Sequence, residues 1–200
     1  TYDGKAFRFD KRMEAFTEVT ANGAEKDLVI TSILPLDNGT VWLLTDKNGG
    51  IRVVPDRKTG TLASKVYLST ASKEKGTAIK TVFLDKKNRE WLLTKDGLLC
   101  IEGNNGKQTP FFVNTHPESG RPNQSFFSAA FVNGHVYFTS NKGRVWKYSL
   151  KDETFELKDL GLQDDVISIR ELSGGKVIMA TRRSGFVVGD AALESLKYYG

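Results

Sequence analysis

The sequence of 200 residues has a single cysteine, Cys100, and only two histidines, His116 and His135. One thiol cannot form an internal disulfide, so covalent staples are excluded as a source of stability and the redox compartment stays open. Cys100 stands within the apolar stretch Leu98-Leu99-Cys100-Ile101, where a buried, inert thiol is expected. The histidines are 19 positions apart, which is no metal-ligand spacing, and neither a metal nor a cofactor is expected. No apolar run approaches the ~18 residues of a membrane-spanning helix, and no basic-then-apolar leader opens the chain. Helical periodicity does not persist beyond about three turns anywhere. Gly-x-Ser-x-Gly, a phosphate-binding glycine loop and His-Glu-x-x-His are all absent, so no catalytic residue is assigned. The net charge of +5, from 29 basic and 24 acidic residues, is spread over many turns. That spread fits a solvated surface better than a nucleic-acid footprint, and it leaves room for an anionic ligand.

What the chain does contain is a repeat. The best copy is Asp37-Asn38-Gly39-Thr40-Val41-Trp42-Leu43-Leu44-Thr45, with apolar runs before it and a Gly49-Gly50 turn after it. Degraded copies end on Thr94, Thr139 and Thr181, and a beheaded one opens at Thr1-Tyr2-Asp3-Gly4. The threonines at 1, 45, 94, 139 and 181 are separated by 44, 49, 45 and 42 residues. A period of roughly 40 to 50 residues with about four short strands per unit is the signature of propeller blades. The turn chemistry agrees. Asn38-Gly39, Asn133-Gly134 and Gly174-Gly175 sit between apolar runs, and a two-residue hairpin turn needs the positive φ that glycine and asparagine tolerate. β-Branched and aromatic residues fill the segments between. Hydrophobic content of 39% and aromatic content of 10% suit a folded chain.

The expected fold is therefore all-β, with blades of four antiparallel strands in one domain spanning 1–200. A partial blade lies near 1–20, and complete ones near 28–69, 78–113, 125–158 and 164–200. Residues 191–199 fit a short helix or an outer strand. Four blades and a half do not close a ring neatly, and open sheet edges invite aggregation. The expectation is a segment of a larger propeller of seven blades, with a four-bladed ring as the alternative.

These residues resemble the two-component regulator propeller repeat, whose pattern is Ile-x-x-Ile, Asp-x-x-Gly, Trp-Ile-Gly-Thr and a Gly-Gly turn. Ser32, Ile33, Asp37, Gly39, Trp42, Thr45, Gly49 and Gly50 stand in that order, and the resemblance covers essentially the whole chain. The glycine before the threonine is replaced by Leu44, Leu93, Phe138 and Ala180, and the last two blades lack both the aspartate and the tryptophan. The resemblance implies the periplasmic sensor region of a bacterial hybrid two-component histidine kinase, anchored in the inner membrane. It implies detection of a glycan fragment, with a packing change passed through the membrane to control transcription. The segment itself is then no enzyme. Its partners would be an oligosaccharide, neighbouring blades or domains of the same polypeptide, and a second copy in a homodimer, without nucleic acid. Two alternatives stay open. Asp37-x-Gly39-x-x-Trp42 also resembles the Asp-box of sialidase-type propellers, which suggests a secreted glycoside hydrolase; a protein-interaction scaffold is the other.

Candidate ligand-binding residues come from two places. The irregular stretch 114–124 carries His116, Arg121, Asn123 and Gln124, a charged fork and amides suited to sugar hydroxyls or a carboxylate, or else simply a solvated loop. Arg182 and Arg183 share a turn of the last blade, where they suit a sulfate or uronate, or solubility. Trp42 and Trp91 are expected to pack between sheets and Trp146 to be partly exposed. The carboxylate pairs Asp164-Asp165 and Asp85 with Glu90 are expected in turns.

Overall fold

The structure, a computed structural model, describes residues 6–11, 13–19, 29–46, 49–55, 62–67, 78–102, 106–112 and 124–200. Among them are 18 strands and no helix. β1 (Phe7–Asp10) and β2 (Ala15–Glu18) form a hairpin. Four meanders follow. The first is β3 (Ile30–Pro35), β4 (Val41–Thr45), β5 (Gly50–Pro55) and β6 (Leu62–Tyr67). The second is β7 (Ile79–Leu84), β8 (Glu90–Thr94), β9 (Gly97–Glu102) and β10 (Lys107–Phe111). The third is β11 (Phe126–Val132), β12 (His135–Ser140), β13 (Arg144–Ser149) and β14 (Phe155–Asp159). The last is β15 (Val166–Leu172), β16 (Lys176–Thr181), β17 (Phe186–Asp190) and β18 (Leu196–Tyr199), so the C-terminal segment ends as an outer strand. Each meander is a four-stranded antiparallel sheet in chain order, and the chain is an array of β-propeller blades.

The turns behave as their residues require. Between β11 and β12, Asn133 and Gly134 have φ of 46° and 81°, the left-handed pair that lets a two-residue hairpin follow the twist of its strands. The core lies between sheets rather than within any one of them. Trp42 and Leu44 meet Ile79, Val82, Leu92 and Ile101 of the next sheet. Trp91 and Cys100 meet Phe126, Phe138 and Tyr148. Val132, Tyr137 and Val145 meet Ile169, Met179 and Val187. Second strands such as Glu90–Thr94 are buried on both faces, which explains their unbroken apolar runs. Fourth strands such as Phe155–Asp159 are largely exposed.

Strand register corrects the alignment of repeats. Ile30 pairs with Thr45, Ile79 with Thr94, Phe126 with Ser140 and Val166 with Thr181. Ser140, one residue after the expected Thr139, is thus the counterpart in the third meander. Its hydroxyl donates to the carbonyl of Arg144 at 3.0 Å, closing the following turn, as Thr45 does to Gly49, Thr94 to Gly97 and Thr181 to Gly185. The same shift puts Tyr137 at the position of Trp42 and Trp91. Its hydroxyl donates to the carbonyl of Ala191 in the next sheet, and burial pushes its pKa up to about 12.

Glu90 is a second correction, because it lies in β8 rather than in a turn; Asp85 does open the β7–β8 turn, and both carboxylates are buried. Asp85 accepts the indole N–H of Trp91 at 2.9 Å, Arg89 Nε at 2.8 Å and the backbone N–H groups of Lys87 and Arg89. Glu90 accepts Trp42 Nε1 at 2.8 Å and both ends of the Arg52 fork. Trp42 and Trp91 are fully buried, and Cys100 is buried with its thiol pushed up to about 12. Trp146 is half-buried against Phe112, with ring centroids 4.2 Å apart.

Candidate functional site

The first strand of every meander carries a register irregularity at one equivalent place. It falls between Ile30 and Ser32, Ile79 and Thr81, Phe126 and Ser128, and Val166 and Ser168. The extra residues are Thr31, Lys80, Phe127 and Ile167. A bulge of this kind re-aims one side chain without ending the ladder, and such bulges concentrate beside functional sites. Here it gives the innermost strand two jobs. Ile79, Phe126 and Val166 stay in the core, while Phe127 and Ile167 turn into an axial cavity.

That cavity, about 390 Å³, is lined by Thr81, Phe83, Phe127, Ser128, Ser168 and Arg170 among others, from β7, β11 and β15. At its mouth the Lys80 ammonium sits 3.7 Å from the centre of the Phe127 ring. The Arg182 guanidinium approaches the same ring at 5.5 Å from the β16–β17 turn. Arg182 Nε pairs with Asp165 at 3.2 Å, and the Arg182 backbone N–H donates to the Asp165 carbonyl at 3.0 Å. Burial lowers the Lys80 pKa to about 8; the like charge of Arg182 adds to the drop, and Asp165 and Asp96 oppose it.

Asp164 shapes the turn that holds Arg182. Desolvation alone would raise its pKa, but the backbone N–H groups of Arg183, Ser184 and Asp165 hold it down to about 2. The bonds are 2.6, 2.9 and 2.8 Å. This carboxylate is therefore occupied as a turn brace. Gly143 completes the neighbouring turn: its N–H donates to the Asp164 carbonyl, and a Cβ there would fall 2.5 Å from the Leu162 carbonyl oxygen.

Of the residues singled out in the sequence, His116, Arg121 and Asn123 lie outside the described residues. Gln124 donates from its amide to Asn141 Oδ1 in the β12–β13 turn of its own sheet. Arg182 is at the mouth, whereas Arg183 is exposed and engages Asp164 through its backbone. Sequence reasoning missed Lys80 and Phe127. A signal existed: an apolar residue, a variable one, then a hydroxyl recurs as Ile30-Thr31-Ser32, Ile79-Lys80-Thr81, Phe126-Phe127-Ser128 and Val166-Ile167-Ser168. Strict strand alternation hides it, because one extra residue reverses the faces on either side.

Fold and mouth together define a β-propeller whose inner-strand bulges face a shared axial opening. No protein-family model and no curated protein matches the sequence. Among solved structures, the chain is similar to virginiamycin B lyase from Staphylococcus aureus, with a TM-score of 0.65 at 14% identity over 98% of this chain and 63% of that one. It is similar to the extracellular domain of the putative hybrid two-component system BT4673 from B. thetaiotaomicron, with a TM-score of 0.59 at 14% identity over 98% of this chain and 30% of that one. A second such domain from that organism, BT3049, gives a TM-score of 0.57 at 17% identity over 95% of this chain and 25% of that one. The chain thus spans less than two thirds of each of these structures. It shares its fold with extracellular sensor domains and with a propeller lyase.

Proposed function

We propose that the chain is part of a ligand-sensing propeller on the periplasmic side of a membrane-anchored hybrid two-component sensor. It holds an oligosaccharide at the axial mouth, and occupancy alters blade packing in a way that controls a kinase and, through it, transcription. The observation that carries this reading is the repeated bulge. One structural device, used in every complete blade, places a different side chain at the same position, which suits recognition better than a single conserved chemistry.

The groups at the mouth are two cations, an aromatic ring, hydroxyls and the Asp165 carboxylate, which is paired with Arg182 Nε at 3.2 Å, an arrangement suited to binding. Glycoside hydrolysis in its usual form needs two carboxyl groups on opposite sides of one bond. Asp85 and Glu90 are taken up by tryptophan and arginine between sheets, and Asp164 by backbone N–H groups, which favours binding without turnover. The likeness to extracellular sensor domains supports the same reading.

The test is calorimetric titration of the complete propeller with a panel of oligosaccharides, followed by chromatography of the recovered sugar. Saturable binding with the sugar returned intact is expected. Conversion of any member to smaller products would overturn the sensor reading in favour of an enzyme.

A further inference from the structure

Resting on that reading of the mouth, we infer that it grips the negatively charged group of its ligand, a sugar carboxylate or sulfate, between the Lys80 ammonium and the Arg182 guanidinium. Both cations converge on the Phe127 ring, at 3.7 and 5.5 Å from its centre. The nearest carboxylate, Asp165, takes Arg182 through Nε only. Among the described residues, neither Lys80 Nζ nor the terminal nitrogens of Arg182 have a hydrogen-bond acceptor. Two like charges are thus held close, on different blades, with donors unspent.

The ring explains how they are held. Its negative face attracts each cation and offsets part of their mutual repulsion, and Lys80 and the ring are both set in place by the bulges of their strands. An anion between them removes the remaining repulsion and accepts the free N–H groups, a gain that a neutral hydroxyl does not reproduce. The arginine fork also suits the planar pair of oxygens of a carboxylate or two oxygens of a sulfate. Along the cavity wall, Thr81, Ser168 and Arg170 offer hydroxyls and a second guanidinium to the rest of the sugar.

The experiment uses the complete propeller and matched probes: oligogalacturonate against oligogalactose of equal length, sulfated against unsulfated galactose oligomers, and inorganic sulfate alone. The acidic member of at least one pair should bind at least about tenfold more tightly than its neutral partner. Lys80→Met and Arg182→Met should each remove most of that preference, while Lys80→Arg retains it. Both residues keep access to solvent, the Lys80 ammonium being only partly desolvated, so unchanged melting temperatures check that the variants fold. Neutral sugars binding as tightly as acidic ones, with Lys80→Met indifferent, would overturn the anion site and leave the sensor reading intact. Sulfate binding that is lost in Lys80→Met, with no saccharide bound, supports the anion site and removes the glycan. Failure of every acidic probe, sulfate included, overturns the inference.

Discussion

Arg52 on β5 and Glu90 on β8 belong to adjacent blades and meet as a bidentate pair, with Nε to Oε2 at 2.8 Å and Nη2 to Oε1 at 2.7 Å. The indole of Trp42 donates to the same carboxylate at 2.8 Å. Burial alone would raise the Glu90 pKa, but these donors hold it below its ordinary 4.5. Removing one partner of a buried pair strands the other, so Glu90→Ala should cost about 3–5 kcal/mol in denaturant unfolding. The double variant Arg52→Met with Glu90→Leu should cost less than the two single changes summed.

The sign of the pH effect follows from the same carboxylate. A pKa lower in the folded than in the unfolded chain adds stability that is complete above about 4.5 and is lost as pH falls through the folded value. Glu90→Gln should therefore flatten the acid limb of the stability curve below pH 4.5. An unchanged acid limb would mean that the pair does not link proton binding to folding.

Gly134 and Gly185 offer a matched comparison, since both have φ of 81°. A Cβ on Gly134 meets nothing within 4 Å, whereas one on Gly185 would lie 2.0 Å from the Tyr199 carbonyl oxygen. Gly134→Ala should cost the left-handed backbone penalty alone, about 1–2 kcal/mol. Gly185→Ala should exceed it by at least about 1 kcal/mol, the scale of overpacking. Equal losses by thermal or denaturant unfolding would refute the close approach of β18 to this turn.

Lys80 is expected to titrate near pH 8 by lysine-selective NMR, with burial as the main cause and Arg182 next; Asp165, Asp96 and Lys95 are the other charges that face it. Arg182→Met should raise the value without restoring the ordinary 10.5, because burial persists. Since the folded pKa lies below the unfolded one, the unfolded chain binds more protons between about 8 and 10.5. Stability should rise slightly with pH across that window, and acidic-sugar affinity should fall as Lys80 loses its charge. A Lys80 titration at its ordinary value would contradict a partly desolvated ammonium crowded by Arg182.

Much of the fold was legible because hairpin rules are local. Asn133-Gly134 dictates a tight turn from its own backbone preferences, and the runs Trp42-Leu43-Leu44 and Trp91-Leu92-Leu93 announce strands covered on both faces. Thr139 was misread for an equally clear reason. Thr139 and Ser140 are adjacent hydroxyl residues, either of which could end the repeat, and only the pairing of Phe126 with Ser140 chooses between them. Tyr137 was hidden by the same slip.

By itself, the sequence determined the antiparallel meanders, their number among the complete repeats, and the burial of Cys100, Trp42 and Trp91, since each depends on neighbours within one turn or one strand. Tertiary structure alone decided that Glu90 answers Arg52 from 38 positions away and that Lys80, Phe127 and Arg182 gather at one opening. Those contacts join different sheets, and their geometry depends on how the blades stack and where each inner strand bulges, which no short-range pattern encodes.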